Sequence, residues 1–157
     1  MGRWRLAGVI LLLLVQTALA VFLGFLATIH WEESNRFHLK LGLEFTPKRE
    51  AALRCTMEEI AAFADALAVG VFTVVLLLAV AKANQLPCMR SAFRISGGSF
   101  LFIAAGLFFA AFGVPRVGSP HDDMFAGLGF FLSSAPVLLM SGCSFGIARL
   151  LKAPSSE

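Results

Sequence analysis

The stretch Leu6–Ile29, LAGVILLLLVQTALAVFLGFLATI, decides the fold class of this chain. It carries no charge, and as a helix rising about 1.5 Å per residue it reaches about 36 Å, enough to cross a hydrocarbon core of roughly 30 Å. Three further apolar stretches of spanning length follow, Ile60–Ala81, Ser96–Val114 and Met124–Leu150. The sequence therefore predicts an all-α membrane protein. Residues 1–157 form a single domain, a four-transmembrane-helix bundle with spans at 6–29, 60–81, 96–114 and 124–150 and an outer loop at 30–59. Composition agrees, because 58% hydrophobic and 15% charged residues leave no material for a second, water-soluble core.

The opening MGRWR, the leucine run and Ala18-Leu19-Ala20 also fit a cleaved signal peptide, yet the apolar run continues through Ile29, beyond the usual length of such a segment. A retained signal anchor is the expectation. Trp4 and Trp31 bracket it about 40 Å apart along a helix, the thickness of a bilayer with its headgroups, and so read as interfacial anchors.

Charge is sorted by segment. Arg3, Arg5, Lys82, Arg90, Arg94, Arg149 and Lys152 lie in the N-terminal tail, the second loop and the C-terminal tail, where the one acid is Glu157. The first loop mixes six Glu with five Lys or Arg, and the third sets Arg116 against Asp122 and Asp123. The positive-inside rule then places both termini and the second loop in the cytoplasm, in a plasma or secretory-pathway membrane. A basic balance of this kind reports orientation and contact with anionic membrane lipid, not nucleic-acid binding.

The sharpest local pattern is Phe37–Phe45, FHLKLGLEF. Phe37, Leu39, Leu41, Leu43 and Phe45 alternate with His38, Lys40, Gly42 and Glu44, which predicts a half-buried β-strand, a small extracellular β element within the first loop. Its backbone edge would be free to add to another polypeptide. Thr46-Pro47 ends the strand and supplies a cap and first residue for a helix running to about Ala81.

Within the spans, Ala62, Ala66 and Gly70 repeat every four residues, as do Gly106 and Ala110, spacing that lets helix backbones approach closely in lipid. Alanine-rich composition alone also accounts for it. Such faces suit another integral membrane protein, or a second copy of this chain. Phe100, Phe102, Phe108, Phe109 and Phe112 read as core filling or lipid contact, and Pro136 predicts a kink, with Ser133 and Ser134 free to serve the backbone it disturbs.

Asp65 is the one charge well inside a span. About 9 Å below the surface by helical rise, it must find a partner or hold a proton, since an acid at the bilayer centre costs about 2–3 kcal/mol and less near the edge. Thr28, His30 and Arg116 are the candidate partners at the right depth, in a structural contact, with a place on an ion path the alternative.

The motifs of chemistry are sparse. His30, His38 and His121 stand at or beyond helix ends, which gives no support to a haem between helices. His30 with Glu32 and Glu33 would reach His121, Asp122 and Asp123 only if loops one and three meet, and solvated charge at helix ends is the simpler reading. Cys55, Cys88 and Cys143 fall in three different environments, so no intrachain disulfide is expected. Cys88 is read as an inert thiol, with palmitoylation the alternative. No nucleophile elbow, phosphate loop or cysteine-rich metal motif is present. No enzyme, cofactor or metal is expected.

The segment ATIHW at the end of the first span, the third span SGGSFLFIAAGLFFAAFGV and the fourth, FAGLGFFLSSAPVLLMSGCSFGIARLLK, resemble the peripheral myelin protein, epithelial membrane protein and claudin superfamily. The resemblance implies four spans, cytoplasmic termini, an outer strand and an extended second helix. Where that family carries Gly-Leu-Trp and a cysteine pair in the first loop, this chain has Trp31 and Cys55 alone, which argues against claudin-like barrier formation. The expected function is thus a non-enzymatic auxiliary or stabilising subunit of a larger membrane complex. The alternatives are a claudin-like junctional protein, and a small membrane enzyme or metal-dependent protein using the outer His and acid residues.

Overall fold

The computed structural model describes residues 3–42, 48–113 and 120–151, with side chains described except at 37, 40–42, 48–51, 53, 112–113 and 120–129. The described residues form four helices, α1 (Arg3–Gly42), α2 (Lys48–Ala81), α3 (Leu86–Gly113) and α4 (Pro120–Leu150). Each contains a segment long and apolar enough to cross a membrane: Arg3–Arg36, Arg54–Ala81, Leu86–Ala111 and Phe130–Leu150. Four such helices fit an integral membrane protein.

The buried side chains recur every seven residues. In α1 they include Val9, Gln16, Leu23 and His30; in α2, Ala61, Ala68 and Val75 beside Asp65, Phe72 and Ala79; in α3, Phe93, Phe100 and Leu107; in α4, Phe130, Val137 and Ser144, continued by Leu151 just past its end, beside Ser133, Met140 and Ile147. A period of 3.5 keeps one seam of each helix facing its neighbours over many turns. The most extensive packing joins α1 to α2 and α3 to α4, with α1 against α4 and α2 against α3 closing the ring. Among the described residues α2 and α4 also touch across the centre, while α1 and α3 do not.

Two apolar clusters fill this ring. One, built around Leu23, Phe72, Phe100, Leu107 and Val137, occupies the middle and the end from which the first loop emerges. The other, around Val9, Phe93 and Ile147, lies at the end holding the Lys82–Gln85 turn. These ends are called the first-loop end and the second-loop end below. Large apolar side chains such as Phe63, Leu77, Val80, Phe102 and Phe109 cover the outside, as befits a surface solvated by lipid.

The expected strand is corrected by the structure. Phe37, Leu39 and Leu41 lie in the last turns of α1, whose backbone is helical through Gly42, and Leu43 and Phe45 lie outside the described residues. No strand occurs among the described residues. The physical reason is that an isolated strand leaves its backbone groups unpaired, whereas a helix extended past the membrane satisfies them internally. The extension also finds a partner, because Ser34 and His38, one turn apart, face Cys55 and Glu59, one turn apart on α2.

Candidate functional site

Polar side chains interrupt the apolar seams at two levels, and these form the candidate site. At the first-loop end, the fully buried Asp65 accepts a hydrogen bond at Oδ2 from the Ser133 hydroxyl (2.9 Å). His30 joins them: its Nε2 lies 3.3 Å from Ser133 Oγ and 3.9 Å from Asp65 Oδ2, and its Nδ1 meets the Glu58 carboxylate. With the Ser133 hydroxyl donating to Asp65, its oxygen is left as an acceptor toward Nε2, and the imidazole bridges Ser133 and Glu58 through its two ring nitrogens. Asp65 Oδ1 is buried with no hydrogen-bond partner.

Nearer the end of α1 a second group continues this network. His38 Nε2 stands 2.9 Å from Glu59 Oε1, and Ser34 Oγ contacts both Cys55 Sγ (3.3 Å) and Glu59 Oε1 (3.4 Å). The potential ligand atoms of His38, Cys55 and Glu59 all lie within 4.8 Å of one another. These groups account for one another by hydrogen bonding and ion pairing.

At the second-loop end, the Gln16 carboxamide nitrogen donates to the Met140 carbonyl (2.9 Å) and to Ser144 Oγ (2.6 Å). Ser96 Oγ lies 3.1 Å from Ser144 Oγ, and Ser141 donates to the Gly97 carbonyl (2.8 Å). Gln16 Oε1 is buried and unpaired. Gln16 and His30 stand fourteen residues apart on one helix, about 21 Å by helical rise. Leu23, Leu26, Ala68, Phe72, Phe100 and Val137 fill the space between the two levels. Among the described residues that apolar layer separates the two levels, and hydrogen bonds link neighbouring helices at each.

Of the residues singled out in the sequence, Asp65 and His30 meet as expected. Thr28 instead donates to the Phe25 carbonyl of its own helix, and the side chain of Arg116 lies outside the described residues. Ser133, expected to serve the backbone near Pro136, is spent on Asp65, while Ser134 donates to the Phe131 carbonyl and α4 continues through Pro136. His30 points into the bundle, away from the grouping with Glu32 and Glu33 weighed above; the side chains of His121, Asp122 and Asp123 are not among those described. Ala62 is buried, but Ala66 and Gly70 face outward, as does Gly106, and a Cβ built on either glycine meets nothing within 4 Å. The close approaches occur elsewhere: a Cβ on Gly97 would stand 3.0 Å from the Phe145 ring, and one on Gly146 would stand 3.0 Å from Leu12. Trp4 (92% exposed) and Trp31 (59%) both face outward, the disposition an interfacial anchor needs.

Sequence reading missed Gln16, Ser96 and Ser144, and it missed Glu58 as the partner of His30. The signal was present in the seven-residue frame, where Gln16 falls midway between Val9 and Leu23 and Ser144 midway between Val137 and Leu151. No known protein family, curated protein or solved structure matches this chain.

Proposed function

We propose that this protein is a non-enzymatic tetraspan that packs beside a larger membrane protein as an auxiliary or stabilising subunit. The observation that carries the reading is a groove of about 510 Å³ on the outside of the α1–α2 pair. Its floor is Ala27, Thr28, Ala62 and Ala66, and Trp31 and Phe63 flank it. Small side chains on an outward face admit the backbone of a further helix, in a solvent that gives apolar surfaces no other reason to associate. Glu32 and Glu59 also line the groove and would pair with a basic residue on the docked helix.

The strand reading no longer contributes, so recognition rests on the helices. The basic segments support an orientation with both termini and the second loop in the cytoplasm, in a plasma or secretory-pathway membrane. A second copy of the chain is the competing occupant of the groove. A claudin-like junctional role rests on the family resemblance alone.

A photo-crosslinking residue placed at position 66 tests the proposal in cells. We expect one defined integral membrane protein to be captured and to co-purify in mild detergent, and Ala66→Phe to abolish co-purification at unchanged expression. Capture of the chain by itself, or no dependence on position 66, would overturn the auxiliary-subunit reading.

A further inference from the structure

A cavity of about 520 Å³ opens between α3 and α4 at the second-loop end, remote from the groove just described. Arg90 and Arg94, one turn apart on α3, and Arg149 on α4 line it, together with Gly142, Phe145 and Gly146. Its lining holds no acidic residue, and among the described residues none of the three guanidinium groups has a carboxylate or hydrogen-bond partner. Arg90 Nε is moreover shielded from solvent and unpaired. Like charges gathered around one cavity repel unless an anion joins them, and the fixed fork of a guanidinium matches the oxygens of a phosphate group.

We infer that this cavity binds a phosphate group, with the headgroup of an anionic phospholipid as the first candidate. The placement suits it: the charged rim sits at the end of the spans, where headgroups lie, and deeper along α4 the wall is apolar, where Gly142 leaves open space and the Phe145 ring packs over Gly97. A glycerol backbone and the start of an acyl chain fit against such a wall while the phosphate takes the arginines. The three cations come from two helices, so the bound anion would also tie α3 to α4.

The full chain purified in dodecyl maltoside is titrated with dioctanoyl phosphatidate, dioctanoyl phosphatidylcholine and inorganic phosphate, with binding followed by calorimetry. We expect one phosphatidate per chain, bound at least tenfold more tightly than phosphatidylcholine. The Arg94→Gln/Arg149→Gln double variant should lose at least tenfold in affinity. Arg3→Gln/Lys82→Gln, which removes equal charge from the same end outside the cavity, should lose less than threefold. Gly142→Leu fills the cavity without touching an arginine and should weaken binding to the same degree as the arginine pair, which keeps the test valid if that pair fails to fold. Inorganic phosphate binding as tightly as phosphatidate would assign the site to a soluble phosphate, and much weaker binding to the lipid. Equal affinity for phosphatidylcholine, or equal losses in the Arg3/Lys82 control, would overturn the site.

Discussion

Asp65 shows how one residue's role can be half legible in a sequence. A lone acid within an apolar span announces a polar contact, and depth along the helix narrows its partners to Thr28, His30 and Arg116, of which the structure brings His30 to it. Ser133 could not be selected the same way, since a serine in a membrane helix can serve its own backbone, and only the approach of α4 to α2 turns it toward the acid. Asp65→Asn keeps an acceptor for Ser133 and should cost about 1 kcal/mol or less in a mixed-micelle unfolding titration. Asp65→Leu removes the acceptor, leaving the Ser133 hydroxyl without its buried partner and His30 without the nearby carboxylate, for an expected loss of about 2–3 kcal/mol. Equal stability of the two variants would mean that the carboxyl makes no structural bond. Gln16→Leu should be milder, about 1 kcal/mol for two hydrogen bonds between membrane helices at about 0.6 kcal/mol each, because Ser96 and Ser144 still face each other without it.

At the scale of elements, the spans follow directly from apolar length, and the ends of the helices do not. Phe37–Gly42 alternates as a strand does, but Phe37 and Leu41 are also one helical turn apart, and a short segment of leucine, lysine and phenylalanine satisfies either period. What decides is the neighbour: α2 begins at Lys48 and gives Ser34 and His38 a polar face to meet. The small-residue stripe is open in a related way, since four-residue spacing identifies a smooth face without saying whether it meets the bundle or a further helix in the lipid; Ala62 is buried while Ala66 and Gly70 face outward. Two substitutions in α3 separate the cases. Gly106→Leu points into open space and should change stability by less than about 0.5 kcal/mol, whereas Gly97→Leu must displace the Phe145 ring and should cost about 1–3 kcal/mol.

For the molecule as a whole, the proposed orientation predicts opposite fates for two exposed positions. In a Cys55→Ser background, an impermeant maleimide added to intact cells should label Leu39→Cys and leave Cys88 unmodified; the reverse pattern would invert the topology. Native Cys55 is a poor reporter because it is buried against Ser34. The distribution of the interior hydrogen bonds has a further consequence. Ser34–Cys55 and His30–Glu58 stay within the α1–α2 pair, and Ser96–Ser144 and Ser141–Gly97 stay within the α3–α4 pair. Gln16–Ser144, Gln16–Met140 and Asp65–Ser133 cross from one pair to the other, one set at each level. The molecule is thus two hairpins stitched together at two heights, with a dry layer between the stitches. Each hairpin can enter the bilayer by itself, and the stitches then fix which hairpin it accepts and in what vertical register. Severed in the exposed turn between Ala83 and Asn84 and co-expressed, the two halves should reassemble and co-purify, and a Gln16→Leu/Asp65→Leu first half should lose its mate.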